Sequence, residues 1–133
     1  MCIFCEIING NIPAKKVYED EKTLAILDLS QTTYGHTLVM PKTHSANSLE
    51  MTDDDLKSVI TTCKKVANKL KTNLHAKGIN ILNNTGEAAG QSVMHTHFHL
   101  IPRYENDTVQ IIFSENDSDL DAVLAAINKE DNL

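Results

Sequence analysis

Apolar residues recur along this chain with two different spacings, and the change of spacing marks its elements. Leu56, Val59, Ile60, Cys63, Val66, Ala67, Leu70 and Leu74 follow one another at three and four residues. That is the repeat of one face of a helix. Thr52 stands ahead of them as a capping residue, and Asp53, Asp54 and Asp55 suit the positive end of the helix dipole. Lys64, Lys65, Lys69 and Lys71 occupy the other side, and Gly78 is the expected stop. A second helix is expected near Asp119 to Lys129, with Leu120, Val123, Leu124 and Ile127 on one side.

Elsewhere the apolar residues fall in short β-compatible runs. Thr23 to Leu29 is one, and His36 to Met40, between Gly35 and Pro41, is another. The polar connection Ser30 to Gly35 makes them an antiparallel hairpin. Asn9-Gly10-Asn11 signals a turn. Ile79 to Asn83 reads as a strand, Asn84 to Gln91 as a loop with two glycines, and Ser92 to Ile101 as a strand ended by Pro102. Strands, a long helix, more strands and a final helix give an α+β fold with an antiparallel sheet, not βαβ alternation. The 133 residues suit one domain, 1–133.

Composition narrows the function classes. With 41% hydrophobic and 23% charged residues, disorder and disulfide scaffolds are poor readings. The formal charge of −6 argues against bulk nucleic-acid binding. Most of that charge sits in the acidic C-terminal segment 114–133, where Glu115, Asp117, Asp119, Asp121, Glu130 and Asp131 face only Lys129. An anionic ligand elsewhere is therefore not repelled. Glu19-Asp20-Glu21 reads as a solvated turn. No run is long enough for a membrane span, and the first residues do not form a secretion signal. Three cysteines then point to reduced thiols and a cytoplasmic location. Cys63, on the apolar helix stripe, reads as a packed thiol.

Six histidines and no tryptophan are unusual, and their positions matter. His95, His97 and His99 alternate with Thr96, Phe98 and Leu100. On a strand, alternation sends the three imidazoles to one face, successive ones roughly 6.5–7 Å apart. Such a row must border a cleft or have its polar groups otherwise satisfied. One metal ion is a rival reading, but the outer two would lie roughly 13 Å apart. The row suits a nucleophile flanked by polar helpers along a phosphate chain. Cys2 and Cys5 have the spacing of a metal half-site, which on its own is a weak signal beside the plainer reading of two packed thiols. His36 and His75 have no companions in the sequence and read as surface or structural.

The segment His95-Thr96-His97-Phe98-His99-Leu100-Ile101 resembles the signature of the histidine triad (HIT) superfamily, with polar Thr96 a mild departure. Cys2 to Ile8, Ile12 to Lys15, Leu27 to Ser30, Gly35 to His44, Asn84 and Gly90 to Val93 resemble family segments in the same order. The resemblance covers about 2–104 and is nearest the small nucleotide-binding, phosphoramidase-like branch of bacterial type. It implies a HIT-like sheet of about five strands with one long helix and a C-terminal helix, in a homodimer.

By that resemblance His97 attacks an α-phosphate and forms a nucleotidyl-histidine, its second ring nitrogen donating to a backbone carbonyl. His99 holds phosphate oxygens, and His95 holds the neighbouring loop and the network around His97. Asn84 and the backbone of Gly90, Gln91 and Ser92 contact phosphate, and Ser92 reaches the leaving group. Asp28 holds the ribose, and Ile3, Phe4, Ile7, Ile26 and Leu29 wall the base. The implied substrate is a purine nucleoside phosphoramidate of AMP-amine type. Dinucleoside polyphosphate hydrolysis or nucleotidyl transfer by the same nucleophile is the alternative among enzymes. A nucleotide-binding, zinc-stabilised interaction module is the alternative without catalysis. Bacterial-type relatives complete a structural zinc site at the positions of Cys2, Cys5, His44 and His95. Some relatives carry a C-terminal Trp near the active site, which this acidic C-terminal segment lacks.

Overall fold

A computed structural model describes residues 1–130; residues 131–133 of the acidic segment, Asp131 among them, lie outside the described residues. Five strands, β1 (Lys16–Glu19), β2 (Thr23–Leu27), β3 (Thr37–Pro41), β4 (Gly78–Asn83) and β5 (Phe98–Arg103), form one sheet in the order β1-β2-β3-β5-β4. Every neighbouring pair is antiparallel. Three helices accompany it: α1 (Ile3–Ile8), α2 (Asp53–Leu74) and α3 (Leu120–Ile127). The α+β antiparallel architecture is the one the apolar spacing predicts.

The pleat of β2 and β3 divides the core in two. Ala25 and Val39 turn to one face, where they meet Val59, Cys63, Val66, Ala67 and Leu70 of α2 with Phe98 and Leu100 of β5. Leu24, Ile26, Leu38 and Met40 turn to the other face and meet Phe4 and Ile7 of α1. Each fully buried aliphatic side chain contributes about 1.5–3 kcal/mol. Thr52 caps α2 by accepting from the Asp55 N–H at 3.2 Å. Cys63 is the packed thiol expected, and burial pushes it up to about 12.

Several local expectations are corrected. The last strand is not Ser92 to Ile101: it begins at Phe98 and runs through Pro102 to Arg103. Pro102 is tolerated because β3 pairs with β5 only as far as Leu100, leaving that end of β5 with β4 alone. Pro41 likewise lies inside β3, opposite Thr23 and beyond the β5 pairing. Gly78 opens β4; the left-handed residue that ends α2 is His75, at φ 57°. Neither α1 nor β1 shows a long enough repeat to be predicted. α3 is capped by Asp119, and its apolar residues Leu120, Val123, Leu124 and Ile127 are exposed.

Candidate active site

On the α1 face of the sheet, Ile26, Leu38 and His99 form one cross-strand row, because Ile26 pairs with Leu38 and Leu38 with His99. A cavity of about 270 Å³ opens above this row. Ile3, Phe4, Ile7, Ile26, Leu27, Asp28, Leu29, Leu38, Ser92, Val93, His97 and His99 line it. Nine of these were singled out from the sequence. Its walls are mostly apolar; its polar groups are a carboxylate, a hydroxyl and two imidazoles, a composition common in small-molecule sites.

His97 is nearly buried, and its Nδ1 donates to the His95 carbonyl at 2.8 Å. That bond puts the proton on Nδ1 and leaves Nε2 with the free lone pair. The edge of Phe4 packs against the ring at 5.0 Å between centroids. Asn83 fixes the backbone here, its side-chain amide donating to the His97 carbonyl at 3.0 Å. His99 lies 5.2 Å from His97, centroid to centroid. Burial, then the neighbouring His97 and His36, push its imidazole down to about 4, so it is neutral near pH 7.

His95 does not stand in a row with the other two, contrary to the expectation from strand alternation. Residues 92–97 precede β5, so the pleat does not govern them. The His95 ring is fully buried, and its Nε2 donates to the Pro41 carbonyl at 2.8 Å. Its Nδ1 faces away from the cavity, 3.4 Å from Cys2 Sγ, 3.5 Å from Cys5 Sγ and 3.1 Å from His44 Nδ1. Cys5 Sγ lies 3.4 Å from His44 Nδ1. A tetrahedron with bonds of about 2.0–2.3 Å has edges of roughly 3.3–3.7 Å. Three of these separations fall in that range and the His44–His95 one lies just below it, with all four donor atoms within 4.8 Å of one another, so the group is a candidate tetrahedral cation site, and the Pro41 bond directs the His95 lone pair into it. Burial and the adjoining Cys2 push the Cys5 thiol up, a cost that a divalent cation removes.

Asn84, Gly90 and Gln91 do not line the cavity. Gln91 is buried as a brace for its loop: its amide donates to the Ala46 and Val93 carbonyls at 2.6 and 3.0 Å and accepts from the Gly86 N–H at 2.9 Å. A Cβ at Gly90 would stand 3.4 Å from the Asn84 amide nitrogen, and the φ of 99° there also favours glycine.

The HIT domain model matches residues 9–106. The chain belongs to the HIT family. It is 54% identical over 128 residues to an uncharacterized HIT-like protein of Methanocaldococcus jannaschii, covering 96% of this chain and 98% of that one. An adenosine 5'-monophosphoramidase of Schizosaccharomyces pombe is 40% identical over 102 residues, 77% of this chain and 74% of that one. An adenylylsulfatase of Arabidopsis thaliana is 42% identical over 109 residues, 80% of this chain and 54% of that one. A HIT family crystal structure from Bacillus subtilis superposes with a TM-score of 0.87 at 46% identity, covering 96% and 95% of the two chains. A zinc-bound histidine triad protein from Mycobacterium smegmatis does so at 0.79 and 37%, covering 96% of each.

Leu27, Leu38 and Val93 of the cavity wall are not distinguished by the sequence, and neither is His36 beside it. His36 was expected to have no companions, yet it is buried, with Nε2 2.9 Å from His99 Nδ1 and 3.6 Å from Asp28 Oδ2. Antiparallel pairing of β3 with β5 makes this contact across 63 positions. The only trace in the sequence is a histidine at the head of an apolar strand, between Gly35 and Thr37. His75 is exposed at the end of α2, as expected.

Proposed function

We propose that this HIT protein hydrolyses purine nucleoside phosphoramidates of AMP-amine type through a nucleotidyl-His97 intermediate. The observation that carries the reading is the bond from His97 Nδ1 to the His95 carbonyl, which frees Nε2 at the wall of the cavity. Nε2 attacks the α-phosphorus; the P–N bond breaks, and the amine leaves with the bonding pair and takes up a proton. Water then attacks phosphorus, the bond to His97 breaks, and a nucleoside monophosphate departs as the surplus proton passes to solvent. His99 holds phosphate oxygens, with Asn84 and the backbone of Gly90, Gln91 and Ser92 as further donors. Ser92 Oγ serves the leaving group. Asp28 holds the ribose hydroxyls, and Ile3, Phe4, Ile7, Ile26 and Leu29 receive the base, so base preference rests on shape and apolar contact. The site acts mainly by positioning.

Two relatives' names indicate an adenylyl group with an amine or a sulfate leaving group. Dinucleoside polyphosphates and nucleotidyl transfer would employ the same nucleophile. Cys2, Cys5, His44 and His95 would hold a structural zinc ion that pins the N-terminus to the sheet. The zinc-bound relative supports this, and the ion supplies no step of the reaction. We also read the molecule as a cytoplasmic homodimer. Exposed Ile81 and Leu82 on the edge strand β4, next to Ile111 and Phe113, support the pairing. Among the described residues no helix is long and apolar enough to cross a membrane.

Mass spectrometry after incubation with an AMP-phosphoramidate tests the mechanism. The expected product is protein adenylylated at His97. Label on another residue, or active enzyme without label, overturns it.

A further inference from the structure

The contact between His36 and His99 brings two ring nitrogens to 2.9 Å, a distance at which exactly one of them carries the shared proton. The groups around His36 decide which. The Thr32 N–H, which can only donate, points at His36 Nδ1 from 3.3 Å. On the other side Asp28 Oδ2, which can only accept, lies 3.6 Å from Nε2. Both favour a proton on Nε2 and a bare Nδ1. The Ser30 carbonyl, 3.2 Å from Nδ1, favours the reverse. Ser30 is exposed, so water can serve its carbonyl instead.

We propose that His36 is a positioning residue: its Nε2–H donates to His99 Nδ1, so that neutral His99 carries its own proton on Nε2, toward the cavity. Each imidazole then has one proton and one lone pair, and the chain from Thr32 through His36 to His99 runs donor to acceptor throughout. The consequence lies at the phosphate. A neutral His99 in the opposite tautomer would aim a lone pair at a phosphate oxygen and repel it; in this tautomer it donates. The carboxylate of Asp28 thus acts twice, on the ribose and, through His36, on the polarity of His99. The inference rests on the proposed reaction only for what His99 does with its proton; the tautomer is a property of the protein alone.

The first measurement is therefore made on free, ¹⁵N-labelled protein at neutral pH, where imidazole nitrogen shifts identify the tautomer. The expected result is His99 protonated at Nε2 and His36 protonated at Nε2. Protonation of His99 at Nδ1 overturns the proposal whatever the activity. The second measurement compares His36→Phe with His36→Gln, whose amide can place an N–H where Nε2 stands. His36→Phe should mix the His99 tautomers and lower kcat/KM by about ten- to a hundredfold, the range of one hydrogen bond to a charged group. His36→Gln should keep the Nε2–H tautomer of His99 and recover most of that loss. If the Phe variant fails to fold, the Gln variant still decides, since a shifted His99 tautomer there overturns the donor role. Adenylylation at a residue other than His97 would defeat the reaction scheme while leaving the tautomer result standing.

Discussion

Two histidine clusters stand back to back in this protein, and they treat the same side chain in opposite ways. In the first, His95 and His44 turn their Nδ1 atoms toward each other and toward Cys2 and Cys5. Four lone-pair donors meet, and the His95 proton is committed elsewhere, to the Pro41 carbonyl. In the second, His36 and His99 share a proton beside the Asp28 carboxylate, while His97 commits its proton to the His95 carbonyl. One cluster has the donor set of a candidate cation site; the other arranges protons. The two are joined through His95, whose ring serves the first and whose carbonyl serves the second. On the proposed reading, the identity of the residue does not separate metal ligand from nucleophile. The partner on the far nitrogen does.

The sharpest way to separate the clusters is His97→Ala. It should lower turnover of an AMP-phosphoramidate by about four orders of magnitude or more, as expected for loss of a covalent nucleophile. Zinc stoichiometry, measured by atomic absorption, should not change. Cys2→Ser strikes the other cluster. Zinc affinity in a competition titration should fall by more than the roughly 10–100-fold cost of disturbing an outer-shell partner. The melting temperature should drop with it, because metal binding is coupled to folding. Equal zinc binding by the variant would remove the metal site.

Gly35→Ala acts on the His36 side alone. Gly35 has a φ of 96°, and an added Cβ would collide with Leu74 Cδ1. Left-handed strain and overpacking together should cost about 2–3 kcal/mol in urea melts. Zinc affinity should persist, since none of the four sulfur and nitrogen donors is held by this turn. The smallest effect is expected at Asp107, outside both clusters. Arg103 and the Tyr104 N–H hold its carboxyl down at about 2. A depressed carboxylate stabilises the fold above its ordinary range, near pH 4, and that contribution is lost as pH falls toward 2. Asp107→Asn should therefore be slightly less stable than the parent at neutral pH and match it below pH 2, by thermal melts across pH.

Much of the fold was legible because its signals are local. The stripe from Leu56 to Leu74 and the Thr52 cap lie within one helix, so spacing alone predicts α2. The hairpin of β2 and β3 is equally local. The short α1 and β1 were not legible: six and four residues are too few for a periodicity to show. Pro41 and Pro102 mislead in one consistent way. Each was read as a strand end, but a proline is excluded only where both edges of its strand are paired, and pairing partners are a tertiary fact.

The site divides along the same line. His97 and His99 are legible from their alternating spacing, whereas Asp28, Ser92 and the apolar wall are legible only through the resemblance to the family. The sequence by itself determined the alternation of two core faces, the long capped helix and the triad of histidines. Only the tertiary structure decided that His95 leaves the row to join Cys2, Cys5 and His44, and that His36 meets His99. Side-chain chemistry is written locally. Which nitrogen of an imidazole is free, and for what, depends on groups tens of residues away that only strand pairing brings within hydrogen-bond reach.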